Sequence, residues 1–184
     1  MFETQSDSNI ASPDEGALVT RATDELFAPS TYEAFISVYE NRVYRVVSLL
    51  HADVLRREVT HMNNSPISRQ LIFAFCAYVL NFGDLSDDTG SLPSLTSPSV
   101  PDKFYLNQAL ICQSIVRVKE PGPRSVYISF FLYGAYAGQG DYRQAWFYLR
   151  EATTLFMMLR NDSIDWYNER TRSRLFWILV ISER

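Results

Sequence analysis

One of the two longest apolar runs of this sequence strongly limits what the chain can fold into. Residues 71–80 read LIFAFCAYVL, with Ser65-Pro66 shortly before them and Gly83 just after. Proline at the first position of a helix and glycine beyond its last turn are ordinary start and stop signals. A helix that is apolar on every side must be enclosed by other elements, and a bilayer span takes about 20 residues. The run therefore predicts the central helix of a helical body, and no membrane association.

The rest of the sequence also favours helices over strands. No segment alternates polar and apolar residues between turn signals, and the 7 glycines are too few for many tight β turns. The first predicted helix has a capping-box sequence, with Glu33 three residues after Ser30. From helical apolar spacing we predict an all-α fold, an array of antiparallel helical hairpins with about six or seven helices. The helices are expected at residues 30–50, 52–59, 66–82, 102–118, 125–137, 142–159 and from about 165 onward, where Asp165 is the expected cap.

Charge and composition divide the chain into an arm, a helical domain and a loop. Residues 1–29 contain six acidic residues and one basic residue, a net charge of −5, so we expect a disordered acidic arm. Residues 30–184 carry 16 bases and 15 acids and form the predicted helical domain. Within that domain, residues 83–101 are rich in Ser, Asp, Pro and Gly and predict a flexible loop. A nearly neutral domain lacks the basic stripe that neutralises phosphates, which argues against direct nucleic-acid binding.

Residues capable of metal binding or catalysis are few and poorly spaced for either role. Cys76 and Cys112 lie far apart in apolar surroundings, which is typical of buried free thiols. His51 and His61 are ten residues apart, whereas two metal-binding imidazoles on one helix face lie about four apart. No phosphate-cradling glycine loop or nucleophile elbow occurs. We predict no catalytic, cofactor-binding or metal-ligating residue and no enzymatic activity. A helical enzyme with unrecognised chemistry is the remaining alternative in this class.

The segment YAGQGDYRQAWFYLREATTLF, residues 136–156, predicts a helical hairpin. Gly138 and Gly140 allow a sharp reversal of the chain. Ala145 and Ala152 then share one face of the following helix, where small side chains let the preceding helix approach closely. The spacing also matches one tetratricopeptide repeat at Tyr136, Gly140, Tyr142, Ala145, Leu149 and Ala152. No second copy occurs 34 residues away, so a tetratricopeptide-like adaptor is the second interpretation.

Aromatic residues are concentrated around this hairpin. We interpret them as part of an ordinary hydrophobic core, although the same residue types would suit a pocket for a flat or sugar-like ligand. They are Phe130, Phe131, Tyr133, Tyr136, Trp146, Phe147 and Tyr148.

Two motifs in residues 136–184 resemble the middle homology region of fungal zinc-cluster transcription factors. The first is a Gly-Asp turn followed by a helix with an Ala-Trp start and a later Ala, here Gly140, Asp141, Ala145, Trp146 and Ala152. The second is the run RSRLFW at residues 172–177, closed by Glu183-Arg184. Ser173 between the arginines and Glu183 in place of Asp are mild departures from the family pattern. The stretch AWFYLREATTLF is similar to regulators of sugar and polysaccharide use.

The resemblance implies a regulatory role with no chemistry of its own. The chain would be the N-terminal part of an effector-responsive, inhibitory or dimer-supporting region of a nuclear transcription activator. The partners left open are a small-molecule inducer, a co-regulator protein and a second copy of the chain. DNA would be bound only through a zinc-cluster segment that needs six closely spaced cysteines, and these residues hold 2 cysteines. No cofactor is therefore expected in this chain.

The resemblance also implies architectural roles for the motif residues. Arg172 and Arg174 are expected to form salt bridges and to stack on aromatic rings rather than to bind an anion. The final run, residues 175–181, is apolar on every side and must be buried by something. We therefore expect an incomplete domain whose further helices would cover that run. The signature residues are Gly140, Asp141, Ala145, Trp146, Ala152, Arg174, Phe176 and Trp177.

Overall fold

The computed structural model describes residues 27–81, 103–113, 121–159 and 169–184. Those residues form seven α-helices and no strand, so the predicted all-α class is confirmed. The finer prediction, an array of antiparallel hairpins, stays a prediction. The helices are α1 (Pro29–Val38), α2 (Ala52–His61), α3 (Pro66–Asn81), α4 (Phe104–Ile111), α5 (Pro123–Gly138), α6 (Tyr142–Met158) and α7 (Glu169–Ser182).

Helix α1 begins at Pro29, and the predicted capping box of Ser30 and Glu33 is wrong. Ala28 occupies the N-cap position in extended conformation, and no side chain caps the helix. Proline suits the start of a helix because its fixed φ is already helical and it has no N–H group to satisfy. The Glu33 carboxylate instead accepts hydrogen bonds from Arg56 of α2, at 2.7 to 3.1 Å. The Glu33 side chain thus pairs with a charged residue of the neighbouring helix instead of capping its own helix.

The predicted helix over residues 30–50 is also too long. After α1 the chain makes one wider π-helical turn, Tyr39–Val43, and then leaves the helix. The hydroxyl of Tyr39 accepts a hydrogen bond of 3.2 Å from the backbone N–H of Leu50, which fixes the following turn beneath α1. Leu50 is therefore buried by the turn rather than by a helix face, and Val46 is exposed.

Helix α3 is the central element, as its apolar run predicts. Every residue from 71 to 79 is buried, and α3 contacts α1, α2, α4 and α5. Ser65 caps it by accepting a hydrogen bond of 3.3 Å from the backbone N–H of Ser68. The side-chain amide of Gln70 donates to the backbone oxygen of Ala109 at 3.0 Å, which fixes α4 against α3.

Two glycines of α5 let it approach α3 very closely. A Cβ atom at Gly134 would lie 2.3 Å from the ring of Tyr78, and one at Gly138 would lie 2.1 Å from the backbone oxygen of Asn81. The two glycines are four residues apart and so lie on one face of α5. Gly140 has φ 77° and makes the left-handed step of the turn into α6. The predicted role of Gly138 in that reversal is therefore corrected, because Gly138 serves helix packing.

Several predictions fall outside the described residues. They are the arm up to residue 26, the loop at residues 83–101, the last part of the helix predicted over 102–118, and the cap at Asp165. Phe27, placed in the arm by its composition, packs its ring edge-on against Phe73 and Phe104. Among the described helices, none is long and apolar enough to cross a bilayer.

Candidate functional site

The first motif of the sequence forms the junction between α5 and α6. Asp141 caps α6, because its carboxylate accepts a hydrogen bond of 3.2 Å from the backbone N–H of Gln144. The N–H of Asp141 donates to the oxygen of Tyr136 at 3.0 Å, which closes the end of α5. Burial raises the pKa of Tyr136, and the neighbouring Asp141 charge acts in the same direction. Gly140 and Asp141 therefore position the two helices.

The small residues of α6 face α5. Ala145 and Ala152 are both buried, and Leu149 between them is buried as well. The rings of Tyr136 and Tyr148 stack across the two helices with centroids 5.5 Å apart and planes 7° apart. A face of small side chains with a stacked ring pair at one end lets α5 and α6 pack at short distance.

Trp146 and Phe147 lie on the other side of α6, so the interpretation of the aromatic set as core is wrong for these two. Trp146 is 49% exposed and Phe147 is 60% exposed. They follow Ala145 by one and two positions, and each position along a helix turns the side chain by about 100°. The Arg150 guanidinium lies over the Trp146 ring, 5.6 Å from its centroid. The other members, Phe130, Phe131 and Tyr148, are buried, and Tyr133 and Tyr136 are partly buried.

The second motif lies on α7, which packs on the rest of the protein through one narrow edge. Leu175 and Leu179 are buried, whereas Phe176, Trp177 and Ile181 are exposed by 44%, 61% and 69%. The Phe176 ring contacts Phe156 of α6 at 6.0 Å between centroids. The motif therefore places its leucine inward and its Phe-Trp pair toward solvent. We call Phe176, Trp177 and Ile181 the outer face of α7.

Two polar contacts hold α7 at either end. Arg174 donates a hydrogen bond of 3.4 Å to the hydroxyl of Tyr44, in the turn after α1. Glu183 lies 3.5 Å from Arg150 of α6 and forms an ion pair with it. The expected salt bridges and ring stacking of Arg172 and Arg174 stay predictions, and the Arg174 contact among the described residues is the one with the Tyr44 hydroxyl. Both partners come from distant segments, and no local pattern in the sequence indicates them.

A groove separates α7 from α3 and α5. Its volume is about 390 Å³, and its lining is mainly apolar. We call it the α7 groove. It is bounded by Val47, Tyr78, Phe130, Tyr133, Ile178 and Ile181. Part of the apolar surface of α7 thus faces an open space rather than a packed neighbour.

A buried ion pair joins α2 to α5, and sequence reasoning missed it. Glu58 is fully buried, and its carboxylate accepts hydrogen bonds from Arg124 at 2.8 and 2.9 Å. A signal was present, because Glu58 follows Ala52 and Leu55 at helical spacing on the buried face of α2. A charged residue at a core position indicates a buried partner.

The chemistry of the described part is limited. Cys76 and Cys112 are both free thiols, and burial raises the pKa of each. His51 lies 3.2 Å from Asp53, and the Nδ1–H of His61 donates a hydrogen bond of 2.6 Å to the backbone oxygen of Arg57. In the four described ranges, no group of three or more His, Cys, Asp or Glu residues is arranged to hold a metal ion.

Comparisons with protein-family models, with curated proteins and with solved structures find no match to this chain.

Proposed function

We propose that this chain is part of the regulatory middle region of a fungal zinc-cluster transcription factor, which controls activation in response to an effector or a partner. The support is the resemblance of the hairpin motif and of the RSRLFW run on α7 to that family. In this proposal, zinc and DNA are bound by other segments of the protein, and the whole protein acts in the nucleus. The chain itself performs no chemical step.

The attachment of α7 is the observation that carries the proposal. Its hydrophobic anchor is a pair of leucines, its outer face is open, and the α7 groove lies beside it. An element with few anchors and free space next to it has more than one packing available. A ligand or partner that favours one of these packings shifts the population toward it.

The size of the effect is sufficient for regulation. Complete burial of one large apolar side chain stabilises a packing by about 1.5–3 kcal/mol. The residues of the outer face are already partly covered, so enclosing all three adds about 2–5 kcal/mol in total. Since each 1.4 kcal/mol changes a population ratio about tenfold, a partner that covers this face in only one of the packings shifts the equilibrium by more than tenfold.

A reporter assay tests the proposal. The chain is placed between a heterologous DNA-binding segment and an activation segment in a fungal cell, and transcription is measured against a flexible linker of equal length. We expect a change of several-fold in transcription, and we expect Leu179→Ala to abolish much of it because α7 loses an anchor. Arg143→Ala, on the exposed side of α6, is the matched control. Equal transcription with the chain and with the linker would overturn the proposal.

The tetratricopeptide-like adaptor is the second candidate, favoured by the left-handed Gly140 and by the buried Ala145 and Ala152. An adaptor of this kind binds extended or helical peptides on stacked repeats. It predicts an unchanged reporter signal together with peptide capture by the α5–α6 pair. Capture that is lost in Trp146→Ala but unaffected by Leu179→Ala would favour the adaptor.

A further inference from the structure

A second cavity lies between the first four helices, on a different part of the protein from α7. Its volume is about 470 Å³, within the range of about 300–1,000 Å³ that is usual for small-molecule sites. Its lining includes both apolar and polar side chains. The apolar lining consists of Phe27, Val59, Met62, Phe73 and Ile111.

Among the described residues that line this cavity, Arg69 carries the only formal charge. Its guanidinium donates hydrogen bonds of 3.1 Å to the backbone oxygens of Met62 and Asn63, just after α2. These two bonds fix the orientation of the group without neutralising it. A guanidinium has five N–H donors, so three remain. Within the described ranges, no carboxylate forms an ion pair with Arg69.

Tyr32 supplies a second donor in the same place. Its side chain lines the cavity and the residue is 2% exposed. Its hydroxyl has no hydrogen-bond partner among the described residues. Buried polar groups are nearly always paired, so the unpaired hydroxyl of a residue that lines a cavity needs an explanation. Burial raises the pKa of Tyr32 well above its usual range, so the hydroxyl stays protonated and can donate.

The Arg69 charge acts on two other polar groups of the cavity lining. Burial raises the pKa of Tyr32 and the pKa of Cys112, and the Arg69 charge opposes part of that rise in both. Arg69 is therefore within electrostatic range of both groups. The amide of Gln108 lines the same cavity. The site thus combines one oriented cation, one buried hydroxyl and an apolar lining.

We propose that this cavity binds an organic monocarboxylate with an apolar body, its carboxylate on Arg69 and Tyr32 and its body against the apolar lining. The planar fork of a guanidinium matches a carboxylate with two parallel hydrogen bonds. One cation balances one negative charge, whereas a phosphate ester carries nearly two. The effector role of such a carboxylate rests on the proposed function. Binding of the carboxylate to the cavity does not depend on that function.

The test is isothermal titration of the full 184-residue chain with 4-phenylbutyrate, with its neutral amide and with phenyl phosphate. We expect saturable binding of the acid, and binding of the amide that is weaker by at least about tenfold because the charge-assisted hydrogen bonds are lost. Phenyl phosphate should also bind more weakly than the acid. Equal affinity for acid and amide, tighter binding of phenyl phosphate, or no saturable binding of the acid would each overturn the proposal.

Two variants test the assigned residues. Arg69→Met should lower the affinity for 4-phenylbutyrate by at least about tenfold. Tyr32→Phe removes only a hydroxyl that has no partner, so the fold should be kept, and affinity should fall about threefold to tenfold. Arg45→Met, an exposed arginine that does not line the cavity, is the control and should bind like the parent. Unchanged affinity in Tyr32→Phe would contradict the assignment even if Arg69→Met fails to fold.

The two proposals can fail separately. Binding that requires Arg69 and Tyr32 but does not change the reporter signal would overturn the regulatory function and keep the carboxylate site. A reporter response to α7 variants in a chain that binds no carboxylate would overturn the site and keep the function.

Discussion

Substitution of Gly138 by Ala tests whether the close approach of α5 to α3 is needed for the fold. A Cβ atom there would lie 2.1 Å from the backbone oxygen of Asn81 and 2.8 Å from the Asn81 Cβ. Non-bonded atoms of this kind are about 3.5 Å apart at van der Waals contact, so the two helices must separate locally by about 1 Å. The obstructing atom belongs to the backbone and cannot rotate away as the end of a side chain can.

The cost follows from two opposing terms. Overfilling a close-packed contact destabilises a protein by about 1–3 kcal/mol. Alanine is a better helix former than glycine by about 1 kcal/mol in a helix interior, and by less at the last residue of α5. We expect a net loss of about 2 kcal/mol in the free energy of unfolding. For a chain of this size each kcal/mol lowers the melting temperature by about 2–4 °C, so Gly138→Ala should melt roughly 4–8 °C lower.

Two other glycines serve as matched controls for calorimetric melting of the chain. At Gly122, the N-cap residue of α5, an added Cβ atom would meet nothing within 4 Å and φ is not positive, so Gly122→Ala should cost no more than about 1 kcal/mol through the weaker cap. Gly140→Ala should cost about 1–2 kcal/mol through its left-handed backbone, and Gly140→Asn should recover part of that loss. If Gly138→Ala and Gly122→Ala have the same melting temperature, the packing argument is refuted.

Three further substitutions test the ion pairs and the attachment of α7. Arg124→Ala removes the cation that pairs with the buried Glu58 and should lower the free energy of unfolding, measured in urea, by about 3 kcal/mol. This value is at the lower end of the range for buried ion pairs because Arg124 is partly exposed. A loss below about 1 kcal/mol, as is usual for surface pairs, would contradict the prediction. Arg56→Gln removes the hydrogen bonds that hold the pKa of Glu33 below its ordinary value of 4.5. A carboxyl whose pKa is lowered in the folded state stabilises the fold at pH values above its unfolded pKa, and that stabilisation is lost as the pH falls through its folded pKa. The variant should therefore be less stable than the parent by at most about 1 kcal/mol at pH 7 and equally stable near pH 2. A stability difference that does not change with pH would contradict the role of this ion pair. Leu179→Ala should raise hydrogen exchange in α7 by more than about tenfold and leave α3 unchanged, since α7 opens as a separate unit; equal acceleration in both helices would show that α7 is part of the core.

The central part of the fold is readable in the sequence because its signals are local and agree with one another. The run at residues 71–80 is apolar on all sides, and Ser65-Pro66 marks its start, so α3 is both predicted and found. The α5–α6 junction is equally clear, since a left-handed glycine and an aspartate cap occupy adjacent positions. These features depend on neighbours in the chain.

The predictions that were wrong depend on neighbours in space. The capping box fails because Glu33 has a better partner, Arg56, on another helix. The outward position of Trp146 depends on how many helices surround α6, which the residue pattern of α6 alone does not determine. The contact between Arg174 and Tyr44 spans 130 positions of the chain. Sequence periodicity indicates which faces are apolar, but only the packing shows which of them are covered.

The outer face of α7 has a consequence inside a cell. Chaperones and degradation enzymes recognise exposed aromatic and aliphatic surface, and small differences in exposure change the amount of a protein several-fold. A copy whose Phe-Trp pair is covered by a partner would escape this surveillance, while a solitary copy would be removed faster. The abundance of the chain would then report how often that pair is occupied, so turnover and regulation would share one surface.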